Sequence, residues 1–139
     1  MPETAAMSAD LEEGDELALD WKKLETTTGV LPCAVQHAAT GEVILVAYVN
    51  GAALRRAVET RRAVFWSTSR NELWEKGATS GETFDLVEVR VNCEQNSFVF
   101  KVLPRRGGIC HTRNSAGVPR DCFYRRLDLT TGTLTHLDP

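Results

Sequence analysis

Long apolar runs are missing from this 139-residue sequence. The longest, Val43–Val49 with Tyr48 inside it, falls well short of the roughly 20 apolar residues that a membrane helix needs. A secretory signal is missing too. Met1–Gly14 is acidic and Ala-rich, with no basic start and no apolar stretch behind it. Both absences predict a cytoplasmic chain with no membrane partner, in a compartment where thiols stay reduced. Charge of one sign is also scarce. Sixteen Lys and Arg stand against 19 Asp and Glu, a net charge of -3, so bulk charge predicts no nucleic-acid binding. A phosphorylated ligand would need a local basic cluster. No internal repeat and no low-complexity tract is visible.

What remains is an ordinary soluble mixture. Hydrophobic residues make up 42% and charged residues 25%, and the length fits one domain with a real core. Residues 1–15 read as a flexible acidic leader and residues 16–139 as a single domain. Glu16–Leu24 has the apolar spacing of a short helix, broken by Thr26-Thr27-Thr28-Gly29. Pro32–Ala38 and Glu42–Val49 are β-rich runs around the compact turn Ala39-Thr40-Gly41, which predicts a hairpin. Asn50 stands where an N-cap belongs, ahead of a helix over Ala52–Val58 that ends near Arg61-Arg62. Ala63–Thr68 is strand-like, and Ser69–Glu82 reads as a polar, glycine-bearing functional loop. Thr83–Cys93 and Ser97–Leu103 alternate as strands and predict a second hairpin around Glu94-Gln95-Asn96. Pro104–Gly108 reads as a turn, Asn114–Arg120 as a polar loop and Cys122–Leu129 as the final strand. The fold class is a β-rich α+β domain with two hairpins and a short helix.

Four cysteines are spread along the chain. Cys33 sits on an apolar strand and reads as core. Cys93, Cys110 and Cys122 lie at strand ends or in loops beside polar residues, and His111 follows Cys110. Three thiolates with an open fourth position describe a catalytic zinc site. Ordinary buried cysteines are the alternative, and without a CxxC pair the spacing alone does not choose between them. The stretch Phe65–Gly81 combines Arg70, Lys76, small hydroxyl residues and glycines with Trp66 and Trp74. Such a mixture suits phosphate binding. A long solvated loop pinned by its tryptophans would have the same composition.

The motifs taken together are more specific. Trp66-Ser67-x-Ser69-Arg70-x-x-Leu73-Trp74-x-Lys76-Gly77-x-Thr79-Ser80-Gly81 is followed by Cys93, Gly108-Ile109-Cys110-His111-Thr112 and Cys122-Phe123-Tyr124. Upstream stand Val35-Gln36-His37, Gly41-Glu42-Val43 and Ala47-Tyr48-x-Asn50. In this order they resemble the phosphoribosyl-AMP cyclohydrolase family of histidine biosynthesis, over about Leu31–Arg126.

The resemblance implies an interlocked homodimer with barrel-like sheets. It also implies zinc at the dimer interface, held by Cys93, Cys110 and Cys122 drawn from two subunits. The implied reaction adds water at C6 of the adenine ring of phosphoribosyl-AMP and breaks the N1–C6 bond, so the expected partner is a small-molecule nucleotide. His111 is the candidate proton carrier. Trp66, Ser67, Arg70, Trp74, Lys76, Thr79, Ser80 and Arg113 are candidates to bind the substrate and its two phosphates. The pyrophosphohydrolase fused to some family members is not expected within this sequence.

Two departures bear on the implied chemistry. The family's Asp-Cys-Asp-x-Asp segment, whose carboxylates bind magnesium, is here Asn92-Cys93-Glu94-Gln95-Asn96. Asn92, Glu94 and Asn96 make a degraded magnesium site that would bind weakly at best, and a plain hairpin turn is the other reading. The link His111–Asp121 is several residues longer than the family's. A changed loop beside a metal is one way to a changed substrate. Two alternatives follow: a paralogous zinc hydrolase acting on another purine-like nucleotide or amidine, and a non-catalytic zinc-binding dimer.

Overall fold

The computed structural model describes residues 12–15, 17, 29–78 and 80–139. Most of the expected leader, the expected helix over Glu16–Leu24 apart from Leu17, and Thr79 lie outside the described residues. The elements in chain order are β1 (Leu31–His37), β2 (Val43–Val49), α1 (Gly51–Thr60), β3 (Val64–Ser67), β4 (Glu72–Glu75), β5 (Phe84–Val91), β6 (Phe98–Pro104), β7 (Arg125–Leu127) and β8 (Leu134–His136).

The first expected hairpin forms as β1–β2. The His37 N–H donates to the Glu42 carbonyl at 2.8 Å, and Gly41 takes the left-handed φ of 79° that the turn requires. The His37 ring is used locally, its Nδ1 accepting from the N–H groups of Ala39 and Thr40. Leu31, Cys33 and Val35 alternate into the core from β1, and Ile44, Ala47 and Val49 face it from β2. The second hairpin forms as β5–β6. These four strands make one sheet in the order β2-β1-β6-β5, with β1 and β6 parallel.

Helix α1 starts where its cap predicts: Asn50 Oδ1 accepts the Ala53 N–H at 2.9 Å. Ala53 and Ala57 are fully buried, and these small side chains let the helix sit close on β2 and β3. Arg61 ends it with a left-handed φ of 56°, and its carbonyl accepts from Leu86 N–H at 2.9 Å. This bond ties the end of α1 to the start of β5.

Three expectations are corrected. The sheet stays open with β2 and β5 as edges, so there is no closed barrel among the described residues. The segment Ser69–Glu82, read as a polar functional loop, contains β4. The reason is a partner: Trp74 lies opposite Phe65 on β3, with ring centroids 5.4 Å apart, and that contact outweighs the polar local sequence. The expected last strand shrinks to β7, because Cys122 instead gives its N–H to the Ile44 carbonyl at 2.9 Å. The chain then turns back at Asp128, whose Oδ1 accepts from Thr130 and Thr131 N–H groups, and adds β8.

The core lies on one face of the sheet. Phe65 stacks on Phe100 at 5.9 Å, and Phe98 meets Phe100 edge-on at 6.1 Å. Each buried Phe contributes about 1.5–3 kcal/mol of burial. Ile109 and Cys122 pack on the same cluster, which anchors the residues beside the site to the core. Among the described residues no helix is long and apolar enough to cross a membrane.

Candidate active site

Two segments distant in sequence are zipped together beside the core. Gly108 N–H donates to the Pro119 carbonyl and Cys110 N–H to the Arg120 carbonyl, both at 2.7 Å. Between them Ile109 N–H reaches Asp121 Oδ1 at 3.2 Å. Gly108 is needed for this approach: a Cβ there would collide with the Arg120 carbonyl group. Cys122 is held from the other side by β2, through its bond to Ile44. The outcome is that the Cys110 and Cys122 thiols line one cavity, close enough for each to shift the other's proton affinity.

Their surroundings separate their proton affinities. Burial alone would raise the Cys110 thiol. It is nonetheless held below the usual cysteine range, chiefly by Thr112, whose hydroxyl lies 3.1 Å and N–H 3.5 Å from Sγ. The Cys122 thiol is pushed up to about 12, first by burial and then by the negative charge developing on Cys110. The Cys110 thiol therefore gives up its proton before the Cys122 thiol does.

The two sulfurs line a cavity of about 550 Å³. Exposed His111 lines it, and so do Arg70, Trp74, Lys76 and Ser80 from β4 and its flanking loops. Leu45 and Ile109 supply apolar lining, and Glu72 and Glu75 bring carboxylates. Gly77, also on the lining, has a φ of 82°, and a Cβ there would strike the Glu82 main chain, so the turn after β4 depends on glycine. A shallower cavity of about 300 Å³ adjoins it, lined by Tyr48, Trp66, Ser67 and Ser69 and sharing Arg70 and Trp74. In the turn between β3 and β4, Ser67 Oγ accepts from Arg70 N at 3.3 Å and from Arg70 Nε at 3.4 Å, which aims the guanidinium.

The fold thus gathers Cys110, Cys122, His111, Arg70, Trp74, Lys76 and Ser80 on one cavity, with Trp66 and Ser67 on its neighbour. Arg113 lines neither. Its Nη1 donates to the Gly117 carbonyl at 2.9 Å, and its Nη2 lies 3.8 Å from Glu82 Oε2. Ser80 Oγ already accepts from Glu82 N–H at 3.2 Å. Cys93 is exposed on the β5–β6 turn, flanked by Asn92, Glu94 and Asn96. Among the described residues no three His, Cys, Asp or Glu side chains are grouped so as to hold a metal. Two neighbouring thiols are chemically suited to half of a tetrahedral zinc shell, and any further protein ligand would have to come from outside the cluster.

Three contributors escaped the sequence reading: Thr112, Asp121 and Gly108. Thr112 and Gly108 stand within the quoted motif, but nothing local reveals that one tunes a thiol and the other admits a neighbouring main chain. Asp121 beside Cys122 gave no signal, because its partner Ile109 is distant in sequence.

Residues 45–124 match the family model described as Phosphoribosyl-AMP cyclohydrolase, a span that includes β4 and all three candidate ligand cysteines. A phosphoribosyl-AMP cyclohydrolase of Caulobacter vibrioides is 45% identical over 86% of this chain and 80% of its own length. One from Hyphomonas neptunium is 44% identical over 72% of each chain. The histidine biosynthesis bifunctional protein HisIE of Thermus thermophilus is 46% identical over 71% of this chain, which spans 44% of that longer protein. The chain belongs to the phosphoribosyl-AMP cyclohydrolase family, whose members are hydrolases acting on a cyclic amidine C–N bond.

Proposed function

We propose that this protein hydrolyses phosphoribosyl-AMP in histidine biosynthesis, opening the adenine ring at the N1–C6 bond, and that it does so with zinc. The observation that carries the reading is the Cys110–Cys122 pair on the cavity that His111, Arg70 and Lys76 also line. Zinc bound by the sulfurs supplies the Lewis acidity that activates water near neutral pH.

The chain's own residues do the rest. Arg70, aimed by Ser67, and Lys76 hold the two phosphates. Trp74, braced on Phe65, gives the ring a flat wall. Water's oxygen bonds to C6 and the N1–C6 bond breaks. One water proton ends on the exocyclic nitrogen and the other on N1, leaving a carboxamide. His111 carries the proton from the attacking oxygen to N1.

The zinc shell is completed in a homodimer, with Cys93 from one copy joining Cys110 and Cys122 of the other. Exposed Val43, Val46 and Tyr48 on edge strand β2, and Val87, Val89 and Val91 on edge strand β5, support a covering partner.

The test is to mix the zinc-loaded protein with phosphoribosyl-AMP and follow the ultraviolet change of ring opening. Turnover is expected. Zinc binding with turnover only of another nucleotide replaces the substrate, and zinc binding with no turnover of any nucleotide removes the hydrolase reading. Mixing inactive Cys93→Ser with inactive Cys110→Ser should restore partial activity, since one hybrid site is then intact. No recovery on mixing removes the shared site.

A further inference from the structure

The turn that presents Cys93 is closed by side-chain amides. Asn92 Oδ1 accepts from the backbone N–H of Asn96 at 2.8 Å and of Ser97 at 2.9 Å. A backbone N–H can only donate, so these two bonds fix which end of the Asn92 amide is oxygen. Its NH2 group must then face Asn96, and it donates to Asn96 Oδ1 at 2.6 Å. That in turn sets the Asn96 amide, whose NH2 group donates to Glu94 Oε2 at 3.2 Å. Main-chain bonds complete the closure: Asn92 N–H to the Ser97 carbonyl at 3.2 Å, and Gln95 N–H to the Asn92 carbonyl at 3.0 Å. Gln95 holds the left-handed conformation at φ 53° and is buried beneath the turn.

Magnesium asks for about six hard oxygens in near-octahedral array, several of them from water and at least one or two from carboxylates. The donor set here does not fit it. At the centre of the turn Asn92 presents N–H groups, which repel a cation, and the Asn96 oxygen is occupied by them. Glu94 alone brings charge, and one of its two oxygens is engaged.

We propose that the Asn92–Asn96–Glu94 relay of hydrogen bonds closes the Cys93 turn in place of a divalent cation, so that the presentation of Cys93 is independent of magnesium. The relay is a positioning device acting through Cys93 and touches no reacting atom. Asn92→Asp keeps both backbone bonds through one carboxylate oxygen, but it turns the donor facing Asn96 Oδ1 into an acceptor and breaks the relay. Adding Asn96→Asp sets three carboxylates in one turn, a repulsion that a divalent cation relieves.

The test uses the zinc-loaded protein in magnesium-depleted buffer and reads the melting temperature and the turnover of phosphoribosyl-AMP during a magnesium chloride titration at constant ionic strength. Both stay flat for the parent protein. Asn92→Ala melts lower at every magnesium concentration. The doubly substituted Asn92→Asp/Asn96→Asp protein melts lower without magnesium, then regains the parent's melting temperature and rate as magnesium is added. A saturable rise in the parent's melting temperature or rate overturns the proposal. So does Asn92→Ala melting like the parent, or a double variant blind to magnesium. Only the rate arm rests on the proposed function. If that reading fails, turnover is absent throughout while the melting pattern still decides the relay.

Discussion

The turn at residues 92–97 and the paired segments at 108–112 and 119–122 both present candidate ligand cysteines, but they are built in opposite ways. In the first, neighbouring side chains close a local loop and leave Cys93 exposed. In the second, main chain bonds to main chain across ten or eleven residues, and Cys110 is buried. A locally closed turn can be altered without disturbing the fold. A zipper between distant segments cannot, because its geometry is continuous with β2 and the core through Ile44 and Ile109. Damage at the zipper should therefore remove much stability together with the chemistry, whereas damage at the turn should lower stability less and act on the chemistry through Cys93.

The largest expected effect is Gly108→Ala, which drives a methyl group into the Arg120 carbonyl and should cost about 3 kcal/mol, with loss of activity. Urea unfolding reads it, and a variant as stable as the parent removes the close approach. Next is His111→Ala. Turnover should fall roughly 10²–10⁴-fold while zinc content and melting temperature hold, because the side chain is exposed and supports no packing. Activity that survives ends its proton-carrying role.

Thiol chemistry sharpens the contrast further. In metal-free folded protein an alkylating reagent should reach exposed Cys93 readily and Cys33 only on unfolding. Burial pushes the Cys33 thiol from 9.0 up to about 12. Between those values the unfolded chain gives up the proton while the folded chain keeps it. Ionisation therefore favours unfolding, and the Cys33 contribution to stability, complete below pH 9, is lost as pH rises toward 12. Cys33→Ala should flatten that part of a melting-temperature profile against pH, and an unchanged slope would assign the alkaline loss to other groups. The smallest effect is expected for Arg113→Ala, within about 0.5 kcal/mol of the parent, because its partners are the exposed Gly117 carbonyl and a distant Glu82 carboxylate. Its KM should hold; a tenfold rise would return Arg113 to the phosphate-binding set.

Legibility followed the range of the interactions. Both hairpins and the Asn50 cap could be read because alternation, a glycine turn and a capping side chain act within a few residues. Strand β4 could not, since its signal is the Phe65 ring across the ribbon. The start of the last expected strand was misread for the same reason, its first residue being claimed by Ile44 on β2. Among the substrate-binding candidates, Arg70, Trp74, Lys76 and Ser80 reach the cavity while Arg113 turns back on its own loop, a difference that residue type cannot express.

By itself the sequence determined which chemistry is available: four thiols, a histidine beside one of them, a basic and hydroxyl-bearing stretch, and a turn short of carboxylates. It also determined the local elements, because backbone preference and side-chain capping are settled between near neighbours. Only the tertiary structure decided that Cys110 meets Cys122 and that Cys93 stands apart from both. That meeting depends on the space left by Gly108 and on bonds from Ile44 and Arg120, and forces between residues so far apart along the chain exist only once the core has brought them together.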